Sequence, residues 1–355
     1  MPAFVVTWKA GTTYTPIPDI KLRVTRSRDI RAPNLNDLYL PSSFGRGNGF
    51  DPFSGTTHQL NSFATGNPNL KPEKGDTTGI GLVLQPSFVP GFSFSVDYWN
   101  IAIKDAIGAV GRDNITQYCY DGRLEYCSAL RFQNPFAGPG TSNFVIDVTT
   151  SGFNISKTLD RGFDFDATYR MGMDELMSDW AGTLTFSGNA TLYLKSYSNN
   201  SINKPTDNAG SNNSGPPDWR ITAGLTYNLD PIRVGVTARG VSSGTYNNAW
   251  IVCAPGTCPV STADNRTLST VLGGTLGGSP NVIPGRWYFD MSTSYKFAIG
   301  ESVEADAFLN IKNIANSDPV VIPIQTGTPH SAHPTNSGLY DVFGRVFRAG
   351  VRFKM

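Results

Sequence analysis

The last ten residues, "VFRAGVRFKM" (346–355), alternate in a way that decides the fold. Every second side chain is apolar, and the positions between them are mostly cationic. A period of two predicts a β-strand with one apolar face and one charged face. The apolar set is Phe347, Ala349, Val351, Phe353 and Met355, and the opposite set is Val346, Arg348, Gly350, Arg352 and Lys354.

The same alternation recurs along the chain. In "TLTFSGNATLYLK" (183–195) the even positions from Leu184 to Leu194 are apolar or small, and the odd positions from Thr183 to Lys195 are mostly polar. No such apolar set carries a charge, and segments near ten residues match a tilted membrane-crossing strand rather than a soluble strand of about five or six. Aromatic residues gather at strand ends, as in the girdles of outer-membrane barrels. A large soluble β-sandwich with one buried face is the alternative.

Composition agrees with this interpretation. Charged residues make up 16% of the 355 residues, against about 25% in ordinary soluble domains. Hydrophobic residues make up 39% and aromatics 12%, a balance that favours either a secreted all-β protein or a transmembrane β-barrel. The net charge of +1 gives no reason to expect nucleic acid as a partner. The sequence contains no run of about 18 apolar residues, so it predicts no transmembrane helix.

Eleven crossings follow from the alternation, with short turns at one end and long connections at the other. The segment 143–150 is assigned to a connection, because a further crossing there would place every later turn at the wrong end. In "FSFSVDYWNIAI" (92–103) the apolar set moves from even to odd positions, which predicts either a β-bulge or an exit from the bilayer. The predicted crossings are 4–10, 20–28, 77–85, 92–103, 159–170, 182–196, 219–228, 233–242, 287–297, 303–313 and 346–355; the long connections are 27–76, 104–157, 196–218, 243–286 and 314–345.

An odd number of strands leaves two edges unpaired, and an unsatisfied backbone group in lipid costs several kcal/mol. The first residues, "MPAFVVTWKAG" (1–11), also lack the pattern of a secretory signal peptide. We therefore expect this chain to be the C-terminal part of a larger barrel.

The four cysteines form two local pairs, Cys119 with Cys127 and Cys253 with Cys258. Local pairing is the simplest of three connectivities and predicts two small disulfide loops, with free thiols as the alternative. His330 and His333 have a metal-like spacing only in a helix, and they lie in a proline-rich segment. No metal site and no cofactor is predicted.

Two segments form recognisable motifs. The first holds Arg31, Ala32, Pro33 and Asn34, followed by Leu38 and Tyr39, and the second holds Gly66, Asn67, Pro68, Asn69, Leu70, Pro72 and Glu73. Three later segments follow in order: "LDRGFDFDATY" (159–169), "LNIKNIAN" (309–316) and "YDVFGRVFRAGVRFKM" (340–355). In this order the segments resemble the TonB-dependent outer-membrane receptor family, and the resemblance covers essentially the whole chain.

The resemblance implies an all-β fold: a transmembrane antiparallel barrel of 22 strands with a plugged lumen, to which this chain supplies about eleven strands, long extracellular loops and short periplasmic turns. Residues 1–355 would be the C-terminal half of that barrel, without the plug domain and the signal peptide. The implied partners are outer-membrane lipid, the missing plug and N-terminal barrel half, the TonB complex and a transported solute. That solute would be scarce and large, such as a ferric siderophore, cobalamin or a glycan.

Several individual residues are expected to have structural roles. Pro33 fixes a turn above its strand. Arg23, Arg348, Arg352 and Lys354 are expected to point into the lumen, against a plug or against carboxylates such as Asp164, Asp166, Glu304 and Asp306. No catalytic constellation and no specific substrate-binding residue is apparent, so an enzyme is not predicted. The rival functions are a structural, adhesive or passive-pore outer-membrane protein and a secreted soluble β enzyme.

Overall fold

A computed structural model describes residues 5–201, 204–248, 281–300, 303–322 and 335–354. Within these residues no helix is long and apolar enough to cross a membrane. The helices are α1 (Leu35–Tyr39), α2 (Arg112–Tyr120) and the 3₁₀-helices Leu124–Ala129 and Met173–Glu175. The strands are β1 (Trp8–Ile17), β2 (Ile20–Arg31), β3 (Ser43–Asp51), β4 (Thr56–Ala64), β5 (Glu73–Leu84), β6 (Phe92–Ala109), β7 (Leu130–Phe132), β8 (Val145–Thr150), β9 (Gly152–Gly172), β10 (Thr183–Asn199), β11 (Thr206–Asp207), β12 (Trp219–Leu229), β13 (Ile232–Val241), β14 (Gly244–Thr245), β15 (Val282–Ile283), β16 (Arg286–Ile299), β17 (Val303–Lys312) and β18 (Val346–Lys354).

One antiparallel sheet dominates, and we call it the wall. Within the described residues eleven strands follow one another along its path, and β11 pairs at the side with β10. All eleven predicted crossings are wall strands, so the predicted all-β barrel segment is confirmed. The strands β1 and β18 form the two edges of this open sheet. The path is β1–β2–β5–β6–β9–β10–β12–β13–β16–β17–β18.

The two ends of the wall differ. Short connections, such as Pro18–Asp19 and Asp230–Pro231, lie at what we call the turn end. The long connections 32–72, 110–151, 200–218 and 242–285 leave from the opposite loop end, together with 313–345. Segment 143–150 holds β8, which pairs with β4 and β7 rather than with the wall, as its assignment to a connection predicted.

Several predicted boundaries are wrong. The first crossing is Trp8–Ile17 rather than 4–10, because the Thr-rich segment after Gly11 pairs with β2 in register as far as Tyr14 opposite Leu22. The strands β6 and β9 are 18 and 21 residues long and pass well beyond the predicted crossings. Both continue because they pair with each other as far as Ala109 opposite Gly152.

The outer face of the wall is apolar and open. Leu225, Val236, Phe289 and Val351 keep 48, 45, 41 and 47% of their surface exposed. In water a face of this size would associate or aggregate. Its exposure therefore indicates a face that meets lipid, and Leu184, Phe289 and Val351 are not buried in a soluble core.

The apolar band ends at one level across five strands. The last apolar row holds Val24, Ile80, Tyr98, Phe163 and Leu192 as successive cross-strand partners. We call the next row towards the loop end the rim row: it holds Arg26, Thr78, Asn100, Arg161 and Lys195.

This change of row explains the switch of apolar positions in β6. Pairing with β5 runs without a register shift from Phe94 to Lys104, so there is no bulge between Tyr98 and Trp99. Tyr98 ends the apolar outer band, whereas Trp99 lies on the inner face beside Tyr193, with ring centroids 5.3 Å apart. The β-bulge interpretation is wrong at that point, and the strand leaves the apolar band.

A bulge does occur in β10. Tyr193 lies opposite Gly162 and Lys195 lies opposite Arg161, so Leu194 is the extra residue. The strict alternation placed Lys195 on the inner face, and that expectation is wrong. A bulge inserts one residue and rotates all that follows by one position.

A second body, which we call the loop lobe, is built from residues 43–64 and 110–150. Its four-stranded sheet has the order β3–β4–β8–β7, with β4 and β8 parallel. Leu60, Ile115, Val145 and Val148 are completely buried at its centre. A disulfide joins Cys119 in α2 to Cys127. The other predicted pair, Cys253 and Cys258, lies outside the described residues, as do His330 and His333.

Candidate functional site: the inner face of the wall

An ion pair crosses the inner face at Arg23. Its Nε donates to Asp97 Oδ1 at 2.8 Å, although the two residues stand on strands separated by β5. Gly81 lies between them in register, and a Cβ there would be 2.0 Å from Asp97 Oδ1. A glycine at this position therefore leaves room for the pair to span two strand spacings. Arg23 points inward as predicted, but its partner is Asp97 rather than one of the carboxylates proposed from the sequence.

A second charged cluster stands on β13 and β16. Arg239 donates through Nε to Asp290 Oδ2 at 2.7 Å and through Nη2 to Asp290 Oδ1 at 3.1 Å. The Asp290 carboxylate also accepts from the backbone N–H of Asn313 at 2.8 Å, and Asp341 Oδ2 lies 3.6 Å from Arg239 Nη2. A forked pair of this kind fixes the guanidinium in one plane. The cluster joins the wall to the connection before β18.

A cavity of about 810 Å³ opens beside this cluster. It is of the size that holds a small or medium ligand. Four of the lining residues are cationic and two are carboxylates, so its charge is positive. The charged lining residues are Arg220, Arg239, Lys312, Arg348, Asp290 and Asp341.

Arg348 contributes a free charge to this cavity. Among the described residues no carboxylate lies within ion-pair distance of it. By contrast, Arg352 lies 3.9 Å from Asp306 through Nη1 and Oδ2, one of the pairs expected on the inner face. The cavity therefore presents an unpaired guanidinium to an incoming molecule.

Residues 337–341 border the cavity at the loop end, and a polar network holds this segment in place. Tyr340 is 2% exposed; its hydroxyl donates to the carbonyl of Pro284 at 3.2 Å and accepts from Asn212 Nδ2 at 3.0 Å. Burial raises the pKa of Tyr340, so its hydroxyl remains a donor at neutral pH. Asn336 Nδ2 donates to the carbonyl of Asn212 at 3.0 Å. Because these contacts join three connections, the border of the cavity is fixed rather than loose.

The two motif segments of the sequence meet in space. Arg31, the last residue of β2, donates to Glu73 through Nε at 2.7 Å and through Nη2 at 2.5 Å. Glu73 Oε1 also accepts from the backbone N–H of Ile107 at 2.7 Å. The charged ends of both motifs therefore tie β2, β5 and β6 together.

The remaining motif residues shape the chain around this pair. Asn34 caps α1, since its side chain accepts from the backbone N–H of Asp37 at 2.7 Å and Asp37 accepts from the backbone N–H of Asn34 at 3.0 Å. Gly66 passes so close to α1 that a Cβ would be 2.4 Å from the backbone nitrogen of Tyr39. Asn67 Nδ2 donates to the carbonyl of Gly152 on β9 at 2.9 Å. These contacts have a structural role, because the residues of the two motifs hold α1 and β9 together at the loop end.

The rest of the second motif continues this path. Asn69 donates from its backbone to Asn67 Oδ1 at 3.0 Å, a local turn that exposes Pro68. Leu70 returns to β9, within 3.6 Å of where a Cβ on Gly152 would lie, and Pro72 leads into β5. In the first motif Ala32 is exposed, and Pro33 separates β2 from the cap of α1. None of these residues lines the large cavity beside Arg239.

The alternation of residues 287–297 puts Asp290 opposite the apolar face, but it does not identify Arg239 as its partner. That contact depends on the register between two strands, because the two residues lie 51 positions apart in the sequence. No described group of three or more His, Cys, Asp or Glu residues could hold a metal ion.

Comparisons with solved structures find receptors and transporters of similar fold, among them the following three. The ferric enterobactin receptor PfeA of Pseudomonas aeruginosa is 13% identical with a TM-score of 0.57, over 97% of this chain and 40% of that chain. The siderophore receptor PirA of Acinetobacter baumannii is 14% identical with a TM-score of 0.56, over 97% and 40%. The FrpB iron transporter of Neisseria meningitidis is 16% identical with a TM-score of 0.51, over 97% and 38%. This chain thus spans about 40% of the length of the first of these structures.

A comparison with curated proteins finds no significant match. The profile of the family described as TonB dependent receptor-like, beta-barrel, matches residues 3–314, which is most of the chain. Order and length of the strands, the exposed outer face and the charged inner face all agree with that match. The chain therefore belongs to the TonB-dependent receptor family, as part of its β-barrel.

Proposed function

We propose that this chain is the C-terminal half of an outer-membrane receptor barrel that imports a scarce, large solute with energy from TonB. The observation that carries the proposal is the wall itself: eleven strands in the order of the family's barrel, with an apolar outer face and ion pairs inside. An apolar outer face of this length supports a location in a bilayer, and membership of the family supports the outer membrane as that bilayer. The turn end then faces the periplasm and the loop end the exterior.

The edges support the division into two halves. Both β1 and β18 run towards the turn end, so a closed antiparallel barrel needs a complementary segment that begins and ends with strands running the other way. Such a segment has an odd number of strands, and eleven more would complete 22. We place the plug and the site that contacts TonB in further parts of the receptor, and we therefore expect residues 1–355 alone not to support energised import.

The positive charge of the cavity narrows the choice among the candidate solutes. Four cations and two carboxylates line it, and Arg348 has no ion-pair partner among the described residues. A positive cavity favours an anionic solute by electrostatic attraction. Among a ferric siderophore, cobalamin and a neutral glycan, an anionic ferric siderophore complex fits this charge best. The solved structures described above are named as a ferric enterobactin receptor, a siderophore receptor and an iron transporter, and these names point in the same direction.

Uptake by whole cells tests this function. The chain is produced together with its plug and N-terminal barrel half in a host that lacks its own receptors, and radiolabelled ferric siderophores, cobalamin and oligosaccharides are offered in turn. Uptake of one anionic iron complex, lost when tonB is deleted, is the expected result. Uptake that persists without TonB would support the passive-pore alternative. Energised uptake by residues 1–355 alone would overturn the division into halves.

A charge variant in the cavity sharpens the assay. Arg348→Gln removes the unpaired cation, and we expect about a tenfold rise in the half-saturating solute concentration, because hydrogen bonds to charged groups are among the stronger polar contacts. Lys21→Gln makes the same change of charge on the inner face near the turn end, far from the cavity, and serves as the matched control. Equal uptake by both variants would remove the cavity from the pathway.

A further inference from the structure

The bulge in β10 creates an unfavourable arrangement on the outer face. Because Leu194 is the extra residue, Lys195 lies directly opposite Arg161 on the same face of the sheet. Like charges in directly opposed positions of a β-sheet destabilise it. Without the bulge Lys195 would point into the aqueous interior. The chain therefore places two cations together on the face that meets lipid.

Neither cation is neutralised by a described residue, because no carboxylate of the described ranges lies within ion-pair distance of Arg161 or Lys195. Arg161 Nε is buried and has no hydrogen-bond partner there. The ammonium of Lys195 lies 5.2 Å from the centroid of the Tyr197 ring, which orients it but leaves its charge unpaired. The buried Nε is shielded from outside, but the charges of Arg161 and Lys195 lie directly opposite each other without a described carboxylate, so an external anion would relieve their repulsion.

The position of the pair identifies the acceptor. Both residues belong to the rim row, directly above the apolar row that contains Phe163 and Leu192. Arg26 adds a third cation to the same row, three strand spacings or about 14 Å from Arg161. No carboxylate occurs in the five described members of this row. An anion at this site therefore lies where a lipid headgroup meets its acyl chains.

We propose that Arg161 and Lys195 bind a phosphate group of a lipid in the outer leaflet, whose acyl chains lie along the outer face beside Phe163 and Leu192. The guanidinium provides directional donors and the ammonium a compact charge, a combination suited to a phosphate. The inference rests on the membrane orientation in the proposed function but not on the solute or on TonB.

A soluble anion fits the site less well than a lipid. It would use only the two cations, whereas a phospholipid also covers the apolar row below them. The bulge in β10 supports lipid binding at this site, because bulges commonly redirect a side chain at a functional site. Arg26, at its greater distance, is available to a second phosphate of the same lipid or of its neighbour.

Binding is measured on the full chain in neutral-detergent micelles, by native mass spectrometry and by titration. The probes are lipid A with two phosphates, the same lipid after enzymatic dephosphorylation, and inorganic phosphate. We expect lipid A to bind, dephosphorylated lipid A to bind at least tenfold more weakly, and millimolar inorganic phosphate not to displace lipid A. The double variant R161Q/K195Q should lose about tenfold in affinity for lipid A.

The control variant K21Q/R233Q removes two cations from the inner face near the turn end and should bind lipid A as the unaltered chain does. If R161Q/K195Q does not assemble, Lys195→Met, which keeps the apolar stem, should still lose about threefold. Equal binding of both lipids, full competition by inorganic phosphate, or equal losses in the two double variants would each overturn the proposal. A failure of solute uptake with lipid binding intact would count against the proposed function alone.

Discussion

The wall and the loop lobe use apolar side chains in opposite directions. In the lobe, Leu60 and Ile115 are completely buried, and the buried carboxylate of Asp51 accepts from the backbone of Val145 at 3.0 Å. In the wall, Leu225 and Phe289 keep 48 and 41% of their surface exposed, and the charges lie inside. The lobe excludes water from its centre, as a soluble domain does. The wall has no comparable apolar centre among the described residues, because lipid completes its packing.

Whether the exposure of an apolar side chain is favourable depends on the solvent that it faces, lipid or water. An exposed leucine on the wall is in its favoured environment, whereas an exposed leucine in the lobe would be a defect. The two regions should therefore respond differently to the same substitutions, and four changes test this.

The largest effect is expected from Leu60→Ala in the lobe. It removes a fully buried side chain and should cost the lobe about 2–5 kcal/mol. Hydrogen exchange of β4 and β8 in the purified protein measures the loss. Leu225→Ala on the wall makes the same truncation where lipid can fill the space, and should change wall stability by less than about 1 kcal/mol. Equal costs at both positions would show that the wall leucine is packed against protein.

A charge on the outer face should cost nearly as much. Ala223→Arg places a cation among the apolar residues of β12 and is expected to destabilise the wall by about 2–4 kcal/mol in lipid. Urea titration of the full receptor in phospholipid vesicles measures this. Thr226→Arg, on the same strand, points inward between Thr185 and Gly235, its uncharged cross-strand neighbours, and should be tolerated. If the two costs were reversed, the assignment of the two faces would be wrong.

The disulfide stabilises the lobe and not the wall. Removing the Cys119–Cys127 bond with the double change C119S/C127S should cost the lobe about 2 kcal/mol, since the closed loop is short. The amide exchange of α2 and of residues 124–129 should rise. Exchange in β12 and β13, within the wall, is the internal reference and should not change. Faster exchange throughout the wall would mean that the lobe and the wall unfold together.

The smallest effect is expected from a substitution in the N-terminal cap of α1. Asn34→Ala removes the side-chain acceptor for the backbone N–H of Asp37 and should cost about 1 kcal/mol locally. Faster amide exchange in residues 35–40 is the measurement. Asn36→Ala, on the same short helix but outside the capping box, is the control. Comparable effects of the two changes would show that the cap contributes no more than any other helix position.

Much of the wall could be predicted because its pattern is local. A strand between lipid and water must alternate, so residues 183–193 reveal their faces without any knowledge of their neighbours. The prediction failed at Lys195, since a single extra residue reverses every later position and carries no mark in the sequence. The prediction was also ambiguous at Trp99, because the apolar positions shift by one residue both at a bulge and where a strand leaves the bilayer.

The loop lobe could not be predicted. Its sheet joins Asn61 to Asp147 in a parallel pair, and parallel strands leave no local turn signature. The same limit applies to the motifs. Arg31 and Glu73 are recognisable in the sequence, but only strand register brings their side chains into contact. Polar contacts across connections, such as Asn212 with Tyr340, are of the same kind.

The amino-acid sequence by itself determined the eleven crossing strands of the described wall, the apolar side of each strand except after the bulge in β10, and the end at which the connections are short. These properties follow from a period of two and from the length of a bilayer, both of which act on neighbouring residues. The tertiary structure decided what those strands do together: the pairing of Arg239 with Asp290, the placing of Arg161 beside Lys195 and the core of the lobe. Each of these depends on register between distant segments, which the chain settles only when it is assembled.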